Sequence, residues 1–400
     1  MKVSVNKEVI EEILSRSIDS IYPSKDSLRE LLFSGRQITI YNGIDPTADY
    51  VHLGHSTNYL ILERLHKLGH KIIVLVGDFT AMIGDPSDKT SARIQLTRDD
   101  VLRNLQSFKD QIGKILDFDN KENLIEFRFN SEWLSKLNFE QLIDLASNFT
   151  VQQMLERDMF EQRISKNKPL FVHEFFYPLM QGYDSVALGV DAEIGGTDQT
   201  FNMLSGRTLA KRYLDKEKFV ITTTLLVNPA TGEKLMSKSL GTGIGLNESA
   251  ENMFGKVMAL ADEGIIQTFI DCTRLPLEEI DKKKARLAAG ENPRDLKMEL
   301  ALEIASMYHG QAEAEKAKNN FINTFSNKNL PTEIEEFQPS QHDLLSILVE
   351  AKLVSSKGEA RRVIDQGGVK IDGETVKDPA LEIKTGSILQ KGKLKFIKVI

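Results

Sequence analysis

The alternation of apolar and polar positions is clearest between residues 36 and 87. Residues 37–41 alternate, with Ile38 and Ile40 on one face, which predicts a β-strand. A helical pattern over 54–68 ends at Gly69, and the apolar run at 71–77 is typical of a strand buried on both faces. Together they predict a βαβ unit with parallel strands. Because ligands in such sheets bind at the carboxyl ends of strands, residues 41–55 and 77–87 should lie on one rim.

The rest of the chain divides by the same patterns. Residues 95–190 alternate helical patterns with a short strand at 125–129, and 222–227 predict another strand before a polar loop. This favours an α/β fold with a parallel sheet over residues 1–232. From 247 to 328 the pattern is helical and highly charged, and residues 329–342, which hold two prolines and three glutamates, predict a linker.

Residues 343–400 predict a small α+β module. A helical pattern starts near Leu344, a capping box at Ser356–Glu359 opens a second helix, and Asp372-Gly373 predicts a β-hairpin. Basic side chains at Lys357, Arg361 and Arg362 suggest RNA binding. A merely solvated surface is the alternative, and charge alone favours that alternative.

Composition narrows the class of protein. The chain is 41% hydrophobic and 27% charged, ordinary values for a globular protein, and it has neither an apolar run of membrane-spanning length nor an apolar secretory start. Its one cysteine, Cys272, excludes an internal disulfide and fits a reducing, cytoplasmic location. The net charge of −7 divides into +3 for residues 343–400, with 11 basic and 8 acidic side chains, and −10 for the remainder. The acidity therefore does not exclude a nucleic-acid partner for the tail.

Two short segments could carry chemistry. His52-Leu53-Gly54-His55 stands at a predicted helix start, where backbone N–H groups favour phosphate, although two surface histidines are about as plausible and a zinc site less so. Residues 235–243 form a Ser/Gly loop around Lys238 that could close over a polyphosphate, a weak signal alone. The chain lacks the phosphate-loop and dinucleotide-binding glycine motifs.

In combination, the segments resemble a known family. The His52–His55 segment and Met236-Ser237-Lys238-Ser239 are similar to the two signatures of class I aminoacyl-tRNA synthetases. Residues 41–48 (YNGIDPTA), 177–184 (YPLMQGYD) and 195–199 (GGTDQ) resemble the first strand, the pocket helix and the ribose segment of bacterial tyrosyl-tRNA synthetases. The resemblance covers nearly the whole chain in the family's order.

The resemblance implies a domain plan and a reaction. The plan is a Rossmann-like catalytic domain (1–232), a mobile signature loop (233–246), a helical tRNA-binding domain on the anticodon side (247–328), a linker (329–342) and a small RNA-binding module (343–400). The reaction is activation of L-tyrosine by ATP to tyrosyl-adenylate and pyrophosphate, followed by transfer to the 3′ end of tRNA(Tyr). The tyrosine carboxylate itself attacks the α-phosphate, so positioning and charge stabilisation would replace a protein nucleophile. Mg²⁺ would arrive with ATP, without a metal site or tightly bound cofactor of the protein, and the chain would be a cytoplasmic homodimer.

The resemblance also assigns roles to individual side chains. The tyrosine hydroxyl would meet Tyr41 and Asp184, and its ammonium would meet Asp85, Tyr177 and Gln181. The nucleotide or adenylate would lie against Gly43, Asp45, Gly54, Gly196, Asp198, Gln199 and Lys238. The groups acting in catalysis would be Thr47 and His52 at the polyphosphate, His55 near the ribose, and Lys89, Arg93 and Lys238 at the leaving pyrophosphate.

Two departures and two alternatives accompany this hypothesis. Leu235 stands where the loop signature has its first lysine, with Lys234 one position earlier, and Glu193 stands where many relatives carry glutamine. A tryptophanyl-tRNA synthetase shares both signatures, but Tyr41, Asp184 and the tail argue against it. A non-catalytic RNA-binding relative would not need the signature histidines and Lys238.

Overall fold

The structure is a computed structural model that describes residues 2–85, 96–227, 243–326, 334–392 and 395–400. Its first part alternates strands with helices. The strands are β1 (Ile18–Tyr22), β2 (Thr39–Ile44), β3 (Lys71–Val76), β4 (Glu126–Phe129), β5 (Ala192–Gly196) and β6 (Phe219–Thr223). The helices are α1 (Lys7–Ile13), α2 (Lys25–Phe33), α3 (Leu53–Lys67), α4 (Thr80–Ile83), α5 (Arg98–Leu105), α6 (Phe108–Gly113), α7 (Ser131–Leu134), α8 (Phe139–Ala146), α9 (Val151–Leu155), α10 (Asp158–Ser165), α11 (Val172–Leu188) and α12 (Thr200–Leu214).

The described remainder is helical and then mixed. Helices α13 (Ala250–Met258), α14 (Ile265–Cys272), α15 (Leu277–Ala288), α16 (Pro293–His309) and α17 (Gln311–Ser326) follow the first part. The C-terminal module contains β7 (Glu335–Phe337), α18 (Leu344–Glu350), α19 (Lys357–Asp365), β8 (Val369–Ile371), β9 (Glu374–Thr375), β10 (Ile388–Lys391) and β11 (Lys395–Val399). Within the described residues, no helix is long and apolar enough to cross a membrane.

The large sheet has the order β1-β6-β5-β2-β3-β4, and its strands are parallel except for β1 at the edge. This confirms the predicted α/β class and the βαβ unit of β2, α3 and β3, whose strands pair Tyr41 with Ile73. Successive residues of a strand face opposite sides of a sheet. Ile40 therefore packs into the main core under α3, whereas Tyr41 faces the opposite side with Ile73 and Val190.

Two large hydrophobic cores, together with two smaller clusters around Tyr41 and Tyr177, hold the described chain together. The first extends from Ile10 to Ala317 and joins the sheet to helices of the segment 250–326. Cys272 is fully buried within it, as expected of a small core side chain. The second extends from Leu344 to Val399 and belongs to the C-terminal module.

The C-terminal module has the predicted helices and hairpin. Ser356 accepts a hydrogen bond from the Glu359 amide and so starts α19. Strands β8 and β9 are antiparallel, and both Asp372 and Gly373 of their turn have positive φ, as a two-residue hairpin of this kind requires.

Two elements differ from the prediction. The strand expected at 222–227 is β6 at Phe219–Thr223, because both of its partners end opposite Thr223. Part of the expected linker, Glu335–Phe337, is a strand that pairs with β11, so the sheet of the module extends before residue 343.

Candidate active site

The strand order creates a crevice between β2 and β5. From β2 the chain runs outward to β3 and β4, and it then returns to β5 on the other side of β2. Such a reversal leaves a crevice at the carboxyl ends of the two strands, which is where parallel sheets bind ligands. We call this crevice the switch-point cleft: Asp45 follows β2 on one side, and Gly196 ends β5 on the other.

Helix α11 lines one end of the cleft. Tyr177, Gln181 and Asp184 recur at intervals of four and three residues, which places them on one face of the helix. Tyr41 meets this face from β2, and its hydroxyl lies 2.9 Å from Ser185 Oγ and 3.5 Å from the backbone carbonyl oxygen of Gln181. The structure thus brings together residues predicted from distant segments. We call the space bounded by Tyr41, Tyr177, Gln181 and Asp184 the phenol pocket, after the tyrosine hydroxyl group that the resemblance predicts there.

Asp184 is a buried acceptor at this end of the cleft. Trp133 Nε1 donates to its Oδ1 at 2.7 Å, and Asn130 Nδ2 donates to its Oδ2 at 3.3 Å. Burial raises the pKa of Asp184 well above its usual value, although these two donors oppose the rise. Burial also raises the pKa of Tyr41 well above its usual value, with the charges of Glu193 and Asp184 adding to the effect. The pocket therefore offers polar oxygens in surroundings that disfavour charge.

Hydrogen bonds connect Asp184 to the rim. Asn130 Nδ2 also donates to Thr80 Oγ1 at 3.0 Å, and Thr80 Oγ1 donates to Asp45 Oδ1 at 2.8 Å. The Tyr177 hydroxyl donates to Asp45 Oδ2 at 2.8 Å. This network links the phenol pocket to the end of β2 and fixes the carboxylates of Asp45 and Asp184 in place.

The β5 side carries a second polar group. Gln199 Nε2 donates to Asp85 Oδ2 at 2.7 Å, and Asn202 Nδ2 donates to Gln199 Oε1 at 3.0 Å. Asp85 is buried and follows Gly84, whose φ of +83° favours glycine. A Cβ atom on Gly196 would lie 2.7 Å from Asp198 Oδ1, so a side chain there would displace that carboxylate.

The rim beyond β2 carries the first signature. His52 caps α3, and its ring stacks on that of His55 with centroids 3.6 Å apart. Gly54 lies in the first turn of the same helix, Gly43 is exposed within β2, and the Thr47 amide donates to the Asp45 carbonyl at 2.8 Å. The predicted nucleotide-binding residues within the described chain thus occupy the ends of β2 and β5 and the start of α3.

The chain that leaves the second signature returns beside His52. The Leu53 amide donates to the Ile244 carbonyl at 2.8 Å, and the Leu246 amide donates to the Val51 carbonyl at 2.8 Å. Lys89, Arg93 and Lys238, with Lys234 and Leu235, lie outside the described residues, and their roles stay predictions.

The geometry agrees with comparisons to known proteins. Residues 34–326 match the family model for class I tRNA synthetases of the W and Y types, and residues 344–389 match the S4 domain. The first model alone does not separate tyrosine from tryptophan. The chain is 47% identical to a tyrosine–tRNA ligase of Haemophilus ducreyi over 98% of both chains, and 44% identical to one of Moorella thermoacetica over 97% of this chain and 94% of that one. The chain belongs to the tyrosine–tRNA ligase family.

A solved structure agrees at the level of the fold. The C-terminally truncated mitochondrial tyrosyl-tRNA synthetase of Aspergillus nidulans matches with a TM-score of 0.65 and 24% identity, over 81% of this chain and 95% of that one. With the curated relatives, this confirms the predicted class I catalytic fold and RNA-binding S4 module. The function is tyrosine–tRNA ligation, with tyrosine, ATP and tRNA as the family's substrates, and the tryptophanyl alternative is not supported.

Several side chains of the cleft were missed by sequence reasoning. They are Thr80, Asn130, Trp133, Ser185 and Lys218. Asn130 directly follows β4 and Thr80 lies four residues after β3, so the rule that ligands bind at the carboxyl ends of strands could have indicated both. Lys218 precedes β6 at the opposite end of the sheet, and no pattern in the sequence pointed to it. The described part of the chain contains no cluster of three or more His, Cys, Asp or Glu side chains placed to hold a metal.

Proposed function

We propose that the switch-point cleft holds L-tyrosine in the phenol pocket and ATP along the ends of β2 and β5. The observation that carries this proposal is the hydrogen-bond network from Asp184 through Asn130 and Thr80 to Asp45. It couples a buried polar pocket to a rim that begins with a helix N-terminus, a favourable site for phosphate.

The phenol pocket would recognise the hydroxyl of tyrosine. Asp184 and Tyr41 present buried oxygens, and with phenylalanine they would keep their bonds within the protein but lose those to the substrate hydroxyl. Each such hydrogen bond contributes about 0.5–1.5 kcal/mol net, so phenylalanine would bind less tightly. The ammonium of tyrosine would lie against Asp85, Tyr177 and Gln181, and the first two are held by Gln199 and Asp45.

The nucleotide end would act by positioning and by stabilising charge. Gly43, Asp45, Gly54, Gly196, Asp198 and Gln199 would contact the nucleotide. Thr47, His52 and His55 would contact the phosphates and the ribose region, and Lys89, Arg93 and Lys238 would stabilise pyrophosphate as it leaves. The tyrosine carboxylate attacks the α-phosphate, so the protein supplies geometry and charge rather than a nucleophile. Mg²⁺ would enter with the ATP phosphates.

Tyrosine-dependent exchange of pyrophosphate into ATP tests this function. We expect exchange with L-tyrosine and none with L-tryptophan, and charging of tRNA(Tyr) by the same preparation. Exchange with tryptophan, or RNA binding without exchange, would support one of the two alternatives instead.

We also propose a homodimer in the cytoplasm, where tRNA charging serves translation. Several large apolar side chains within residues 139–172 are exposed, more than in any other described segment of that length: Phe139, Ile143, Val151, Ile164, Phe171 and Val172. Contiguous exposed apolar side chains mark protein interfaces, and we infer that this segment contributes to the dimer interface. Light scattering should give twice the chain mass of 45.1 kDa. The double substitution Phe139→Ser, Ile143→Ser should halve the mass, and Leu124→Ser, at an exposed apolar position outside this segment, should not.

A further inference from the structure

A buried ion pair lies directly behind the phenol pocket. Glu193 on β5 and Lys218 before β6 are 1% and 0% exposed, and the Lys218 ammonium donates to Glu193 Oε2 and to the Met203 carbonyl at 3.1 Å. Glu193 pairs with Tyr41 across β2 and β5, and the ammonium lies 5.7 Å from the centroid of the Tyr41 ring. A buried ion pair is weak evidence of stabilisation, because desolvation offsets its attraction. Its position beside two pocket residues suggests a role in the pocket.

The second carboxylate oxygen of Glu193, Oε1, sets the orientation of the Gln181 side chain. Gln181 Nε2 donates to Glu193 Oε1 at 2.9 Å. A carboxylate only accepts hydrogen bonds, so Gln181 must direct its side-chain NH₂ group to Glu193. The side-chain oxygen of Gln181, Oε1, then remains for a ligand. A glutamine at position 193 could accept or donate, and it would leave the Gln181 amide free to turn either way.

Lys218 balances the charge of the Glu193 carboxylate, so the ion pair adds no net charge behind the pocket. Burial lowers the pKa of Lys218, whereas the negative charge of Glu193 opposes that change. A Cβ atom on Gly206 would lie 2.5 Å from Lys218 Nζ and 2.7 Å from Ser185 Oγ, so the packing of α12 admits this ammonium only beside a glycine. The pair is therefore built into the contact between the sheet, α11 and α12.

We propose that Glu193, whose charge is balanced by Lys218, is a positioning residue. It holds the side-chain oxygen of Gln181, Oε1, toward the ammonium of the bound tyrosine. The inference rests on the proposed contact between Gln181 and the substrate ammonium. An anionic residue at position 193 fixes one direction of the hydrogen bond to Gln181, whereas glutamine there would allow two.

The test compares two ligands that differ only in the ammonium. Calorimetry on the full-length protein measures the affinities for L-tyrosine and for 3-(4-hydroxyphenyl)propanoate. The double substitution Glu193→Gln, Lys218→Met removes both charges at similar volume. We expect it to lower the ratio of the two affinities on the order of tenfold while leaving the affinity for the propanoate within about twofold, since a hydrogen bond to a charged group is lost. An unchanged ratio, or an equal loss for both ligands, would overturn the proposal.

A second variant, Gln181→Glu, leaves the ion pair intact. With Glu193 in place, the new carboxylate faces another acceptor, and tyrosine affinity should fall below that of Gln181→Leu. If Glu193 imposes no polarity, a carboxylate receives an ammonium at least as well as an amide does, and tyrosine affinity would hold or rise. Gln181→Leu also tests the contact between Gln181 and the ammonium separately from the positioning role of Glu193. If this variant does not change the ratio of affinities, the ammonium contact itself is wrong, and the positioning role is wrong with it.

Discussion

At the residue scale, the cleft depends on side chains that hold one another. Asp45 accepts from Thr80 and Tyr177, and Asp184 accepts from Trp133 and Asn130. Fixed dipoles and carboxylates need little rearrangement when charge develops on the substrate, which is how a site without a nucleophile lowers a barrier. The network should therefore be sensitive to displacement by a single atom.

Gly77 provides that single-atom test. A Cβ atom there would lie 1.9 Å from Asp45 Oδ1 and 2.3 Å from Thr80 Oγ1. We expect Gly77→Ala to displace Asp45 and to slow adenylate formation, measured in a single turnover, by about a hundredfold. The matched control is Gly113→Ala, whose Cβ would meet its nearest atom, Phe118 Cδ2, at an ordinary 3.7 Å. Similar rates for the two variants would show that Asp45 does not need its observed position.

His70, a buried histidine directly before β3, should make the free energy of unfolding depend on pH. Burial lowers the pKa of His70 to about 4 from 6.5, and its Nδ1 accepts from the Ile38 amide at 3.4 Å. Between pH 6.5 and pH 4, His70 is protonated in the unfolded chain but neutral in the folded chain. The contribution of His70 to the free energy of unfolding is therefore complete above pH 6.5 and is lost as the pH falls toward 4. Between pH 7 and pH 5 the loss is about 2 kcal/mol.

Urea unfolding of His70→Asn at both pH values measures this contribution. Asparagine keeps an acceptor for the Ile38 amide but does not titrate. The variant should lose about 2 kcal/mol less than the wild-type protein between pH 7 and pH 5. Parallel losses in the two proteins would mean that His70 accepts its proton in the fold.

At the scale of elements, local sequence patterns correctly predicted the helices, strands and turns that depend on neighbouring residues. The βαβ unit, α19 and the hairpin at Asp372-Gly373 follow from alternation, a capping residue and turn chemistry. The end of β6 and the strand β7 depend on partners far along the chain, and a local pattern cannot contain them. The same limit applies to the candidate site. Site residues within the segments that resemble a family could be predicted from the sequence. Lys218 and Trp133 lie outside those segments, and only tertiary packing brings them next to the site.

The contact between α11 and α12 is the element-scale feature on which the pocket depends. A Cβ atom on Gly182 would lie 2.8 Å from Leu209 Cδ1 and 3.2 Å from the Gly206 nitrogen, so the two helices approach closely there. We expect Gly182→Ala to push α11 away from α12 and to raise the KM for tyrosine about tenfold, with the KM for ATP little changed. Steady-state exchange kinetics measure both constants. An equal rise in the two constants would argue against a local effect on the pocket.

At the scale of the whole molecule, the described chain contains two large hydrophobic cores, and its functions should divide with them. Tyr41 and Tyr177 of the cleft lie in two smaller clusters, whereas β2 and α3 also pack into the core that ends near Ala317. The S4 module has its own core and its own sheet from β7 onward. Removing residues 327–400 should leave tyrosine-dependent exchange within about twofold and reduce tRNA charging by at least about tenfold, since RNA contacts add to affinity largely through basic side chains. Loss of exchange on truncation would show that the cleft needs the module.

A structure of the protein bound to a non-hydrolysable tyrosyl-adenylate analogue would show whether the switch-point cleft holds both substrates. We expect the phenol between Tyr41 and Asp184, the ammonium beside Gln181, and the adenosine along Gly196 and Asp198. An analogue bound outside the crevice between β2 and β5, or one with its phenol directed away from α11, would contradict it.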